Sequence, residues 1–256
     1  MQIARRNGLK GLGVAAMAVF AGPAAATPGE PLIPKGAKTL DALAAQLDKA
    51  PRRRDFKTVP MILVSRDQWD AEALDAVLSY AGGPKQAWDN TEINGPWLNV
   101  MRNSMNAEIW SFKHPDFLCV SATHGSAQLA LYDQTMWDKY QLAKLAGGGA
   151  TSNHFVTPPA AAMRNSDDFQ AKDGPFSPAS NSIGSLQRRG AVFLACHNAV
   201  WELSAKLVSI GVNPDKHSVD ELCAELSNHL IPGTVLTPGA VGTLVELQKS
   251  GFAYTR

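Results

Sequence analysis

A thiol, an imidazole and a carboxamide stand side by side in the stretch "VFLACHNA", as Cys196, His197 and Asn198. The apolar run before Cys196 has strand length, and "NAVWELSAKLVSIG" after it has the apolar spacing of an amphipathic helix. The thiol therefore falls at or just before the first turn of a helix. The partial positive charge of that terminus stabilises a thiolate, the form of cysteine that attacks electrophiles. His197, or His124 at the end of another apolar run, adds to that field when protonated, and Asn198 can orient the site. Position alone leaves two readings open, a nucleophilic Cys196 and an inert one. It likewise leaves the histidines as hydrogen-bonding residues or as assistants. Cys196, His197 and His124 also carry donor atoms suited to copper or zinc. The sequence has no Cys-x-x-Cys, His-x-x-x-His or Cys-x-x-Cys-His spacing, so no metal is expected. No other cofactor is expected either. "GGG" at 147–149 follows a helix and precedes no Lys-Ser/Thr pair, and there is no Gly-x-Ser-x-Gly.

The elements that must hold these residues alternate along the chain. Residues 27–37 are a Pro/Gly linker, and Leu40, Leu43 and Leu47 predict a short leading helix. "TVPMILVS" predicts a first strand ending at Ser65-Arg66-Asp67, with a helix from Trp69 to Tyr80 that turns Leu74, Val77 and Leu78 inward. Leu98, Met101, Met105 and Ile109 form one stripe, read as core packing. "FLCVSAT" predicts a strand ending at His124-Gly125, and "SAQLALYDQTMWDKY" a helix. Residues 146–181 are rich in Gly, Pro, Ser and Asn and read as an insertion, either on the surface or as a lid. "AVFLAC" and "TVLTP" predict two further strands. Ser218 and Glu221 predict a capping box for a helix through His229. The closing helix, "GAVGTLVELQKSG", is expected to turn Val241, Leu244 and Val245 inward and to end at Gly251. Uniformly apolar strands are those buried on both faces. The fold expected is α/β, a three-layer α/β/α sandwich with a mainly parallel sheet. In such sheets ligands bind beyond the carboxyl ends of the strands. That rim would carry Ser65-Arg66-Asp67, Thr123-His124-Gly125, Cys196-His197-Asn198 and Thr237-Pro238-Gly239.

The chain has 256 residues, 45% hydrophobic and 18% charged, with a formal net charge of +1, enough for one sizeable core. The first 26 residues hold Arg5, Arg6 and Lys10 and no acid. Without those three bases the acids are in slight excess, which gives no electrostatic reason to expect nucleic acid or an anionic membrane as partner. "RRNGLK", the weakly apolar run after it and Ala24-Ala25-Ala26 resemble a twin-arginine signal peptide, with a Sec signal as the alternative. The segment is too short and too rich in Ala and Gly for a membrane span, so none is expected after processing. The expected organisation is a signal peptide over 1–26, a linker and leading helix over 27–57, and one domain over 58–256. Either export route makes the mature protein periplasmic. Three cysteines cannot all pair with one another. Cys119 and Cys223 lie in apolar and helical patterns and read as core thiols, with a bridge between them left open.

"RRGAVFLACHNA", followed by "LIPGTVLTPGAVGTLVELQKSGFAYTR", resembles the C-terminal half of DsrE-like domains, a family of sulfur-relay proteins. The matching residues are Gly190, Phe193, Cys196, Asn198, Pro232-Gly233, Pro238, Val241, Leu244, Leu247-Gln248, Gly251 and Ala253-Tyr254. The resemblance is specific over about residues 185 to 256, looser over 58 to 140, and absent from the signal and the insertion. It implies a trimeric or hexameric protein in which Cys196 carries sulfur as a persulfide. His197, His124 and Asn198 would orient or stabilise the thiolate. The chain would then be a sulfurtransferase or sulfur carrier, with a small sulfur compound or a persulfide donor protein as partner. The competing expectation is a non-enzymatic binding or assembly protein that uses the same rim for a small ligand or metal.

Overall fold

The computed structural model describes residues 30–163 and 168–256, so the expected signal peptide lies outside the described residues. The leading helix forms as its leucines predict. In α1 (Lys38–Lys49), Leu40 and Leu43 are buried. The next expectation fails. Residues 58–65 form no strand: Pro60 has no N–H for a ladder, and Met61, Ile62 and Val64 are exposed. Ser65-Arg66-Asp67 therefore ends no strand and leaves the expected rim. Helix α2 (Ala71–Leu78) follows and buries Leu74 and Val77. The first strand is instead β1 (Lys85–Asn90), "KQAWDN".

Helix α3 (Trp97–Asn106) continues into a π-helical turn, Ala107–Ser111, and buries Leu98, Met101, Met105 and Ile109 as one stripe. Each contributes roughly 1.5–3 kcal/mol of burial. Strand β2 (Leu118–Thr123) is buried throughout. The single helix expected after it is broken into a 3-10 segment, Gly125–Leu131, and α4 (Gln134–Lys139), because Asp133 caps α4 by accepting from the Met136 N–H. A short α5 (Leu142–Ala146) precedes the insertion and α6 (Ile183–Gln187) follows it. Arg102 of α3 donates to Phe176 O and Asn181 Oδ1, and Asn153 Nδ2 donates to Ala130 O and Tyr132 O. These bonds pin the insertion to α3 and to the segment after β2.

Strand β3 (Val192–Cys196) leads directly into α7 (His197–Ser209), then α8 (Val219–Asn228), which carries the Ser218–Glu221 capping box. Strand β4 (Val235–Thr237), α9 (Ala240–Lys249) and β5 (Ala253–Thr255) complete the chain. In α9 Leu244 and Leu247 face the sheet, whereas Val241 and Val245 are exposed, contrary to expectation. The inward stripe runs through Ala240, Thr243, Leu244 and Leu247 and leaves both valines on the outer face.

The sheet is parallel throughout, in the order β4-β3-β2-β1-β5. Alternate strand residues feed two cores. Ala87, Val120, Ala122, Leu194 and Cys196 pack with α1, α2 and α9. Trp88, Cys119, Phe193 and Ala195 pack with α3 to α8. This is a three-layer α/β/α sandwich. The connections from β1 to β4 pass over one face, and α9 returns over the other to reach β5. Neighbouring strands β3 and β4 therefore send their chains to opposite faces, which opens a crevice at their carboxyl ends.

Candidate functional site at the strand-end switch

Cys196 occupies that crevice. It is the last residue of β3 and the N-cap of α7, with Thr237 beside it on β4. Its Sγ accepts from Ala199 N–H at 3.4 Å, in the first turn of α7, and from Ala240 N–H at 3.2 Å, in the first turn of α9. Two helix N-termini thus converge on one sulfur from opposite layers, an arrangement that favours negative charge there. The side chain is nearly enclosed, with the residue 4% exposed. Gly239, the N-cap of α9, makes the approach feasible: a Cβ there would lie 2.8 Å from Asn198 Nδ2. Asn198 is exposed and fits against this glycine at the mouth of the crevice.

The other two thiols are buried and unpaired, so no Cys119–Cys223 bridge is present. Burial pushes each up to about 12, which keeps both protonated and unreactive at neutral pH.

His197 does not face Cys196. Its ring is buried, with Nε2 donating toward Pro60 O at 2.9 Å and Met61 O at 3.1 Å, and Nδ1 3.9 Å from Cys223 Sγ. The imidazole anchors the irregular 58–65 segment to α7. Burial lowers its pKa below the ordinary value, an effect that the two carbonyls offset only in part. The unfolded chain then binds a proton near pH 6.5 that the folded chain does not. Stability from this group is present above about pH 6.5 and is lost as pH falls toward the depressed folded value. In His197→Phe, urea unfolding should show a smaller loss of stability between pH 7.5 and 5.5 than the parent chain shows. Equal losses would mean that His197 does not couple folding to protons.

His124 lies at the carboxyl end of the next strand, β2. The last β2–β3 pair is Thr123 with Ala195; beyond it the Cys196 N–H goes to Gln128 Oε1, and His124 leads into the 3-10 segment. Ala122, two residues before His124, and Cys196 belong to the same core, which places both side chains on the α9 face. His124 Nε2 bonds Asp89 Oδ1 at 2.7 Å, and Tyr254 Oη donates to Asp89 Oδ2 at 2.8 Å. Burial opposes ionisation of Asp89, but the hydrogen bonds from His124 and Tyr254 outweigh it and hold the carboxyl below the usual range. Gly125, at φ +55°, then turns the chain so closely past Thr91 O that a Cβ would sit 2.7 Å from it. The rim therefore carries a line of four side chains, Cys196, His124, Asp89 and Tyr254, across β3, β2, β1 and β5. The bond to Asp89 can hold the imidazole in one tautomer.

Asp89 does not figure in the sequence reading, and Tyr254 figures only among the residues that match the DsrE-like ending, not as part of the site. The signal for Asp89 was its place at the end of a short run bounded by Gly82-Gly83-Pro84 and Pro96. The proposed donor set Cys196, His197 and His124 is not assembled, because His197 turns away. Asp215, His217 and Glu225 do bring ligand atoms within 4.8 Å of one another. Lys139 Nζ bonds both carboxylates there, at 2.6 Å from Asp215, so an ammonium already supplies the positive charge.

Fold and site define a parallel α/β/α sandwich with a strand-end thiol at its switch point. No family model, curated protein or solved structure matches the chain. Among the described residues no helix is long and apolar enough to cross a membrane.

Proposed function

We propose that the protein handles sulfane sulfur through a persulfide on Cys196, as the DsrE-like resemblance implies. The observation that carries this reading is the pair of helix N-termini aimed at one sulfur. The Cys196 thiolate attacks the outer sulfur of a donor R–S–SH. A new S–S bond forms on Cys196 as the S–S bond of the donor breaks, which leaves Cys196–S–SH and R–S⁻. An acceptor thiolate then repeats the attack and regenerates the Cys196 thiolate, with no net redox change. The amides of Ala199 and Ala240 stabilise the anion, and His124, held by Asp89, takes the thiol proton. Near-enclosure suits a persulfide that must be kept from oxidants. We read the protein as exported to the periplasm and as a homo-oligomer. Exposed Met61, Ile62 and Val64 are the apolar side chains that a second copy would cover.

The test is intact-mass measurement before and after exposure to polysulfide, with Cys196→Ser as control. A gain of about 32 Da that dithiothreitol removes and the control lacks is the expected result for a thiolate accepting one sulfur. An unchanged mass, with Cys196 resistant to alkylation in the folded chain, would remove the sulfur reading.

A further inference from the structure

At the amino end of β3, away from Cys196, a groove of 570 Å³ opens between α1 and the start of the strand. It follows α1 lengthwise, because Leu40, Leu43, Ala44 and Leu47 line it at one-turn spacing. The opposite wall is Ile33, Ala191, Val192 and Pro232. Leu40, Leu43, Ala191 and Val192 are buried, whereas Ile33, Ala44 and Leu47 are half-buried. The groove is therefore apolar inside and open to solvent, as small-ligand sites are.

Arg52, just past the end of α1, lines the groove at that end. Its Nε donates to Thr234 O at 3.3 Å and its Nη1 to Ala50 O at 2.9 Å. Its Nη2 makes no hydrogen bond among the described residues. The side chain is 19% exposed, so a ligand can reach it. The neighbouring arginines are better supplied with counter-charge. Arg54 takes both oxygens of Asp70, and Arg53 lies 3.2 Å from Asp55. Arg52 comes no closer than 3.9 Å to Asp70, which Arg54 already occupies. Asp48, exposed one turn earlier, makes no ion pair with it among the described residues. Burial disfavours the Arg52 charge, and Asp70 and Asp48 offset this only in part. An apolar groove that ends at an under-compensated guanidinium is complementary to an apolar chain that ends in an anion.

We infer that this groove binds a linear aliphatic monocarboxylate. Its carboxylate accepts from Arg52 Nη2, and its chain runs back along α1 toward Leu40. From Leu40 to Lys49 the helix is roughly 13 Å long, the reach of a chain of about ten carbons. Asp41 lines the groove near Leu40 and is exposed, so it disfavours a second carboxylate at the far end of the chain. Cys196 ends the strand that the groove begins, so binding needs no chemistry at the thiol.

The experiment is calorimetric titration of the full chain with sodium decanoate. Butyrate, which keeps the head group and little of the chain, and decanedioate, which adds a carboxylate at the far end, serve as comparators. Decanoate should bind at about 0.1 mM or tighter, at least about tenfold tighter than either comparator. Arg52→Gln should weaken decanoate about fivefold. Arg52 also holds Ala50 O and Thr234 O, so a second variant leaves it in place. Ala44→Trp fills the groove from the half-buried face of α1 and should abolish binding while the chain still unfolds cooperatively. Cys196→Ser should bind as the parent does, which separates this inference from the sulfur reading. No binding up to about 10 mM, equal affinity for decanedioate, or undiminished binding in Arg52→Gln or Ala44→Trp would overturn it.

Discussion

Asp70→Ala is expected to cost the fold about 3–5 kcal/mol, the range for removing one partner of a buried ion pair. Asp70 lies just before α2 with its side chain fully buried. Its carboxylate takes Arg54 Nη1 at 3.1 Å and Nη2 at 3.0 Å, Leu236 N–H at 2.7 Å and Arg53 N–H at 3.2 Å. One side chain thus ties the 51–54 segment and α2 to edge strand β4. Without it the half-buried Arg54 loses its counter-charge and the buried Leu236 N–H loses its acceptor. The melting temperature should fall on the order of 10 °C for a chain of this size. The double variant Asp70→Ala/Arg54→Ala should recover part of the loss, with a coupling of at least about 1 kcal/mol. A coupling near zero would mean that Asp70 acts through the Leu236 and Arg53 amides and Arg52 rather than through Arg54.

The same contacts show why some elements were legible in the sequence and others were not. Strands β2, β3 and β4 announce themselves because they are buried on both faces and therefore apolar at nearly every position. Helices α1, α7 and α8 do so because each buries one stripe, and α8 adds a capping box that the structure forms. Strand β1 was hidden because its ends are polar for local reasons. Gln86 bonds Thr255 and Trp88, Asn90 bonds Ser121, and Asp89 bonds His124. The apolar run at 58–65 misled because hydrophobicity without a partner edge makes no strand. Two of its carbonyls go to His197 instead of to a ladder. The place of Cys196 was legible because a strand, a polar residue and a helix follow each other in the chain. Its neighbours were less so, because Ala240, Asp89 and Tyr254 reach the rim only through strand order and register. His197 was misplaced by sequence adjacency. A residue next to Cys196 on a new helix points away from it, toward Pro60 and Met61.

That register makes Asp89→Asn the most informative change at the site. His124 can accept the thiol proton only if its other nitrogen is held as a donor, and Asp89 at 2.7 Å supplies the acceptor that holds it. An asparagine keeps the shape and can still accept from Tyr254, but it can present its NH₂ to the ring and favour the wrong tautomer. On the proposed sulfur reading, the rate at which Cys196 takes sulfur from polysulfide should fall about a hundredfold, within the span general-base catalysis contributes. Tyr254→Phe, which removes one of two bonds to Asp89, should slow it less. His124→Ala should be slow as well, and added imidazole should restore part of the rate, a response that a purely structural histidine would not give. Melting temperatures measured alongside separate lost folding from lost proton transfer. If Asp89→Asn and His124→Ala both sulfurate at the parental rate, the two helix N-termini alone activate Cys196, and the Asp89–His124 pair serves only to fasten β1 to β2.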